Sequence, residues 1–169
     1  MVPPGGMTGG IRGGRPRLRG ESTLKPTVQT APPVSQKAKK SILFVCIGNS
    51  CRSQMAEAFA RAYGSDILSV RSAGLAPASI VQPLTRQVLT EKNISSEGQF
   101  PKGLESVAAE SFDVVVNISG EPLPPRPVAH RAIEWRVRDP IGQSESLYRT
   151  VAAEIEALVM RLILELRRG

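Results

Sequence analysis

A small parallel α/β sheet is the fold class that the sequence predicts, and three observations predict it. Short apolar runs alternate with helix-period segments through residues 41–169. The first run passes through a tight Gly-Asn-Ser turn directly into a helix pattern. The final segment carries one apolar stripe at helical spacing.

The elements follow in chain order. Ser41-Ile42-Leu43-Phe44-Val45-Cys46 is continuously apolar after its first residue, as suits a strand buried on both faces. Gly48-Asn49-Ser50 ends it, and Ser53 is placed to cap a helix carrying Met55, Ala58, Phe59 and Ala62, closed at Tyr63-Gly64. A second strand is expected over Ile67–Ser72, ahead of Gly74 and Pro77. Helices are expected from Leu84 to about Lys92 and from Leu104 to Glu110. Phe112–Asn117 gives a third strand, and Ala132–Val137 is the candidate for a fourth, ending at Asp139-Pro140. In the last helix Val151, Ile155, Leu158, Leu162 and Leu166 share a face, while Arg167 and Arg168 sit at its negative end. In such sheets ligands bind at the carboxyl ends of the strands.

The charge of +7 and pI near 10 invite a nucleic-acid reading, but the excess is local. Residues 1–40 hold eight of the 22 basic residues and one of the 15 acids, leaving 14 of each sign for the remainder. That same segment has seven Gly, six Pro and no aromatic residue, so it is expected to be a disordered basic tail preceding a domain at 41–169. No secretory apolar run follows the initial Met. The acidic and basic residues Glu154, Glu156, Arg161 and Glu165 interrupt the final helix, so a membrane partner is not expected and a cytoplasmic location is. Two cysteines five residues apart do not make an extracellular disulfide framework.

Cys46-Ile47-Gly48-Asn49-Ser50-Cys51-Arg52-Ser53 is the informative segment. Successive amides leading into a helix N-terminus form a concave anion site. Gly48 allows close backbone approach, and Asn49 tolerates the left-handed region. The guanidinium of Arg52 offers a planar fork for two oxygens of a tetrahedral oxyanion. At the base of this cradle Cys46 is expected to be held largely as thiolate, with Ser53 able to donate a hydrogen bond to it. The expected product is a nucleophile aimed at a phosphate-like group bound by residues 47–53.

Cys-x5-Arg-Ser between strand and helix resembles the active-site segment of the low-molecular-weight protein tyrosine phosphatases and of the arsenate reductases that share their fold. Ser72-Ala73-Gly74 and Asp139-Pro140 match in order and approximate spacing, so the resemblance covers residues 41–168. It implies a four-stranded parallel sheet in order 2-1-3-4 with helices on both faces. It also implies Cys46 as nucleophile, Arg52 as oxyanion ligand and Asp139 as general acid, with no metal and no cofactor. Taken alone, Asp139 reads as an ordinary Asp-Pro turn residue. Asp113 lies at the wrong end of its strand for the site and is expected to be structural. His130, the one histidine, precedes the fourth strand candidate at the amino end of the sheet and is not expected to act. Cys51 has two readings: a small buried residue at the helix start, or, as in family members with this pair, a redox partner for Cys46 in a reversible disulfide.

The resemblance divides over activity. Nucleophile, cradle and acid suit phosphomonoester hydrolysis through a phosphocysteine, and a phosphorylated protein or small phosphomonoester is the expected substrate. The alternative is an arsenate reductase dependent on an external thiol, with a non-catalytic oxyanion-binding module as the third possibility. Gln54, where many phosphatases have Pro, favours the reductases. Thioredoxin-coupled reductases, however, carry two more cysteines where this chain has Asn117-Ile118-Ser119-Gly120-Glu121. Tyrosine-specific phosphatases usually place aromatics after Asp-Pro, where Ile141-Gly142-Gln143 stand here.

Overall fold

The computed structural model describes residues 1–6, 9 and 38–169, so the expected disordered tail falls largely outside the described residues. Four strands, β1 (Lys40–Cys46), β2 (Leu68–Gly74), β3 (Ser111–Asn117) and β4 (Val128–Glu134), form one parallel sheet in the order β2-β1-β3-β4. The helices are α1 (Arg52–Gly64), α2 (Pro83–Glu91) and α3 (Glu145–Arg168).

Alternation along β1 builds the two halves of the core. Ile42 and Phe44 face the larger cluster, where Met55 and Phe59 of α1, Val88 and Leu89 of α2, and Val151 and Ile155 of α3 are buried. Leu43 and Val45 face a smaller cluster with Val115, Leu104 and Val107. The covering layer on that second side is thin: the helix expected over Leu104–Glu110 is a single 3-10 turn, Leu104–Val107. Leu104 and Val107 close it together with the partly buried Leu75 and Leu123.

Three expected boundaries move. β2 extends to Gly74, because its pairing with β1 runs until Cys46 meets Gly74. β4 begins at Val128 and ends at Glu134, four residues before the expected start and three before the expected end. Its register is set by β3, Ser111 opposite Val128 and Asn117 opposite Glu134, and it is an edge strand whose side chains are mostly exposed. An apolar run therefore does not mark it, and Val137, which did suggest strand, is buried in the loop beyond. Finally, Ser53 does not cap α1: the helix begins at Arg52 after Cys51, and the Ser53 hydroxyl is turned to the loop. Among the described residues no helix is long and apolar enough to cross a membrane.

Candidate functional site at the carboxyl end of the sheet

Cys46 is the last residue of β1, and α1 starts six residues later. The carbonyls of the intervening loop are all engaged outward. Those of Cys46, Ile47 and Gly48 accept from the amides of Leu75, Ala76 and Ala78, and that of Ser50 accepts from Gln82 N at 3.0 Å and Thr85 Oγ1 at 3.1 Å. In a trans peptide the C=O and the following N–H point in opposite directions. Anchoring these carbonyls outward therefore turns the N–H groups of Ile47, Gly48, Asn49 and Cys51 toward the inside of the loop, which makes an anion cradle continuous with the N-terminus of α1. Gly74 permits this approach: a Cβ there would stand 2.7 Å from Ile47 O and 2.8 Å from Asn49 N.

Side chains then fix the loop from within. Asn49 occupies the left-handed region (φ 48°), and its Nδ2 donates to Ser53 Oγ at 2.8 Å. The same Ser53 oxygen is 2.8 Å from Cys46 Sγ. Because Asn49 supplies a proton to Ser53 Oγ, the hydroxyl proton of Ser53 is free to point at the sulfur.

Arg52 is buried, and its Nη1 donates to Ile118 O at 2.8 Å and Val137 O at 3.1 Å. These carbonyls follow β3 and β4, so the guanidinium is pinned by the sheet. Its Nη2 lies 3.6 Å from Asp139 Oδ2. Asp139 is half-exposed, its Oδ1 accepts from Ile141 N at 3.0 Å, and Pro140 behind it is buried. Cys46, residues 47–53 and Asp139 thus come together. Cys51 is present too, but 2% exposed, and burial pushes its thiol up to about 12.

The other two candidates lie elsewhere. Asp113 accepts from Ser41 N at 2.8 Å and Ser41 Oγ at 3.2 Å, tying the amino ends of β1 and β3 together, and the Ser41 amide holds its carboxyl below the usual range. His130 is exposed near the amino end of β4.

Comparison with known proteins follows from this geometry. The sequence model for low molecular weight phosphotyrosine protein phosphatase matches residues 41–124. A glutaredoxin arsenate reductase of Synechocystis is 39% identical over 127 residues, covering 73% of this chain and 96% of that protein. The chain belongs to the low-molecular-weight phosphotyrosine protein phosphatase family. An arsenate reductase of Bacillus cereus is 35% identical, covering 73% of this chain and 93% of its own. Among solved structures, an arsenate reductase in the phosphate binding state superposes with a TM-score of 0.70 at 37% identity, over 75% of this chain and 98% of the other. The YwlE arginine phosphatase of Geobacillus stearothermophilus gives 0.66 at 27% identity, over 76% and 94%.

In this member of the family a second polar layer supports the cradle, and motif reading missed it. Gln54 Nε2 donates to Asn49 O at 2.9 Å, Asn49 Oδ1 at 3.0 Å and Phe100 O at 3.0 Å. Lys102 N donates to the same Asn49 Oδ1 at 2.8 Å, and Gln99 Nε2 donates to Gln54 O at 3.1 Å. Beneath them the buried carboxylate of Glu57 accepts from Ser72 Oγ and pairs with Arg61 at 2.6 Å, with Lys102 Nζ 4.0 Å away. Burial lowers the Lys102 ammonium below the usual lysine value, and Glu57 opposes that. One signal was available: Glu57 interrupts the face of α1 that carries Met55, Ala56, Ala58 and Phe59, and a carboxylate there must be paired.

Proposed function

We propose that this chain is an arsenate reductase in which Cys46 is the nucleophile. The observation that carries the reading is the 39% identity to a glutaredoxin arsenate reductase across 96% of that protein's length. Arsenate is a tetrahedral oxyanion of the kind the amides of residues 47–53 and the Arg52 fork suit. Cys46 Sγ attacks arsenic, an As–O bond breaks, and the departing hydroxyl takes a proton from solvent and leaves as water. A second thiolate then attacks Cys46 Sγ. The S–S bond forms, and the electron pair of the S–As bond stays on arsenic, which is reduced from As(V) to As(III) and leaves as arsenite. Further thiol reduces the disulfide. The donors are Ser53, which stabilises the sulfur, and Arg52, which holds equatorial oxygens.

A second reading is phosphomonoester hydrolysis, favoured by one feature: Asp139, half-exposed and 3.6 Å from Arg52, suits a general acid for an ester leaving group. Arsenite formation and aryl phosphate hydrolysis measured side by side separate the two. The reductase reading expects thiol-dependent arsenite with little ester turnover, and ester turnover without arsenite would replace it with the phosphatase.

A further inference from the structure

The carboxylate of Glu57 lies in the polar layer behind the cradle, and it is 2% exposed. A buried negative charge there opposes both a bound oxyanion and an ionised Cys46. Arg61 pairs with Glu57 at 2.6 Å, but its own side chain is 53% exposed, so water screens its charge. The side chain of Lys102, on the other side of the same carboxylate, is 20% exposed.

Lys102 is fixed at both ends. Its amide donates to Asn49 Oδ1 at 2.8 Å, and Asn49 leads through Ser53 to Cys46 Sγ. Its ammonium stands 4.0 Å from Glu57 Oε2, donates to Phe100 O at 3.0 Å and lies 4.9 Å from the centre of the Phe100 ring. Phe100 O also accepts from Gln54 Nε2, the group that clasps Asn49. The charges facing this ammonium are Glu57 and Arg61 from α1 and Arg71 from β2, which is paired with Glu110 at 3.2 Å. Arg86 of α2 is turned to Ser96 O and Gln99 O. With Glu57 and Glu110 each matched to an arginine, the Lys102 ammonium leaves the layer net positive. Burial lowers this ammonium below the usual lysine value, and Glu57 works against that by favouring the charged form.

We propose that Lys102 is a positioning residue for the nucleophile. Its ammonium offsets Glu57 and so favours the Cys46 thiolate and the bound oxyanion, while its amide holds Asn49 in the left-handed turn. The role rests on the reading of Cys46 as nucleophile, and it is the same for arsenate and for a phosphate ester.

The test uses the reduced full chain and follows two properties that need no turnover. One is the rate at which iodoacetamide, a neutral reagent, alkylates Cys46 from pH 5 to 9, with the site located by fragment mass spectrometry. The other is the affinity for inorganic phosphate at pH 7. Lys102→Met keeps the amide bond to Asn49 and the length of the side chain. In it, alkylation at pH 6 should fall at least about three-fold and approach the parent rate at pH 9, and phosphate should bind at least about three-fold more weakly. Lys102→Arg should hold both within about two-fold, and adding Glu57→Gln to Lys102→Met should restore both. Lys102→Gln replaces the methionine variant if its urea transition shows that it does not fold. Unchanged profiles in the neutral variants, an equal loss at every pH, or a loss in Lys102→Arg as large as in Lys102→Met overturns the role. A parent chain whose Cys46 reacts at pH 6 no faster than a free cysteine peptide rejects the role together with the nucleophile. The expected losses in a chain that never yields arsenite support the role and reject the reductase.

Discussion

Ser53 Oγ stands 2.8 Å from Cys46 Sγ while accepting a proton from Asn49 Nδ2, also at 2.8 Å. One hydroxyl therefore joins Cys46, the proposed nucleophile at the end of β1, to the left-handed turn of the loop. Ser53→Ala removes both links. A buried bond to an ionised group is worth about 1.5–3 kcal/mol, so kcat/KM for arsenate should fall roughly 10- to 100-fold. Stability should fall by about 1–3 kcal/mol as well, because the buried Asn49 Nδ2 loses its acceptor. A variant with undiminished turnover contradicts the donor role.

The contact of Gly74 with the loop supplies a second prediction. In Gly74→Ala the new Cβ would meet Ile47 O and Asn49 N, both backbone atoms under 3.0 Å away. The loop must shift, at a cost of about 1–3 kcal/mol in stability. Competitive binding of inorganic phosphate should weaken by ~10-fold or more as amides leave their positions. Phosphate affinity equal to that of the parent chain would mean that the cradle does not depend on this approach.

How much of this was legible in the sequence depended on distance along the chain. Cys46, Asn49, Arg52 and Ser53 lie within eight residues, and their juxtaposition follows from one turn and one helix start. The clasp made by Gln54 with Phe100, and by Asn49 with Lys102, joins residues 46 and 53 positions apart, which no local pattern announces. β4 was displaced for a different reason: an edge strand with Val128, His130 and Arg131 in solvent lacks the apolar signature that identified β1 and β3. Cys51 carries two readings in the sequence, and the structure adds that it is buried.

That burial has a pH consequence. The folded Cys51 thiol is raised from 9.0 to about 12, so between those values the native state binds more protons than the unfolded chain. Its contribution is whole below pH 9 and is lost as pH climbs toward 12, at up to about 1.4 kcal/mol per pH unit. Tyr63 and Tyr148, also raised to about 12, add slope of the same sign from pH 10. Urea midpoints collected from pH 8 to 11 should decline more gently in Cys51→Ala than in the parent. Parallel curves would argue that this thiol is not held protonated by its surroundings.

Asp139 separates the two chemistries. Ester cleavage places charge on a leaving oxygen, whereas the reductive step breaks S–As and forms S–S without an alkoxide to protonate. In Asp139→Asn, any hydrolysis of alkyl phosphates should drop ~10²- to 10⁴-fold and that of good aryl leaving groups much less. Arsenate reduction should keep its rate within about ten-fold. Equal loss across leaving groups would remove Asp139 from the acid role.

The central claim is that Cys46 carries arsenic and then the disulfide. The most direct measurement is a single turnover with excess glutathione, quenched in acid, in which arsenite and the mass of each cysteine peptide are determined together. The account predicts about one arsenite per chain, with the transient disulfide on Cys46 and neither product in Cys46→Ser. Arsenite released by Cys46→Ser, or a parent chain that forms none while cleaving an aryl phosphate, would contradict it.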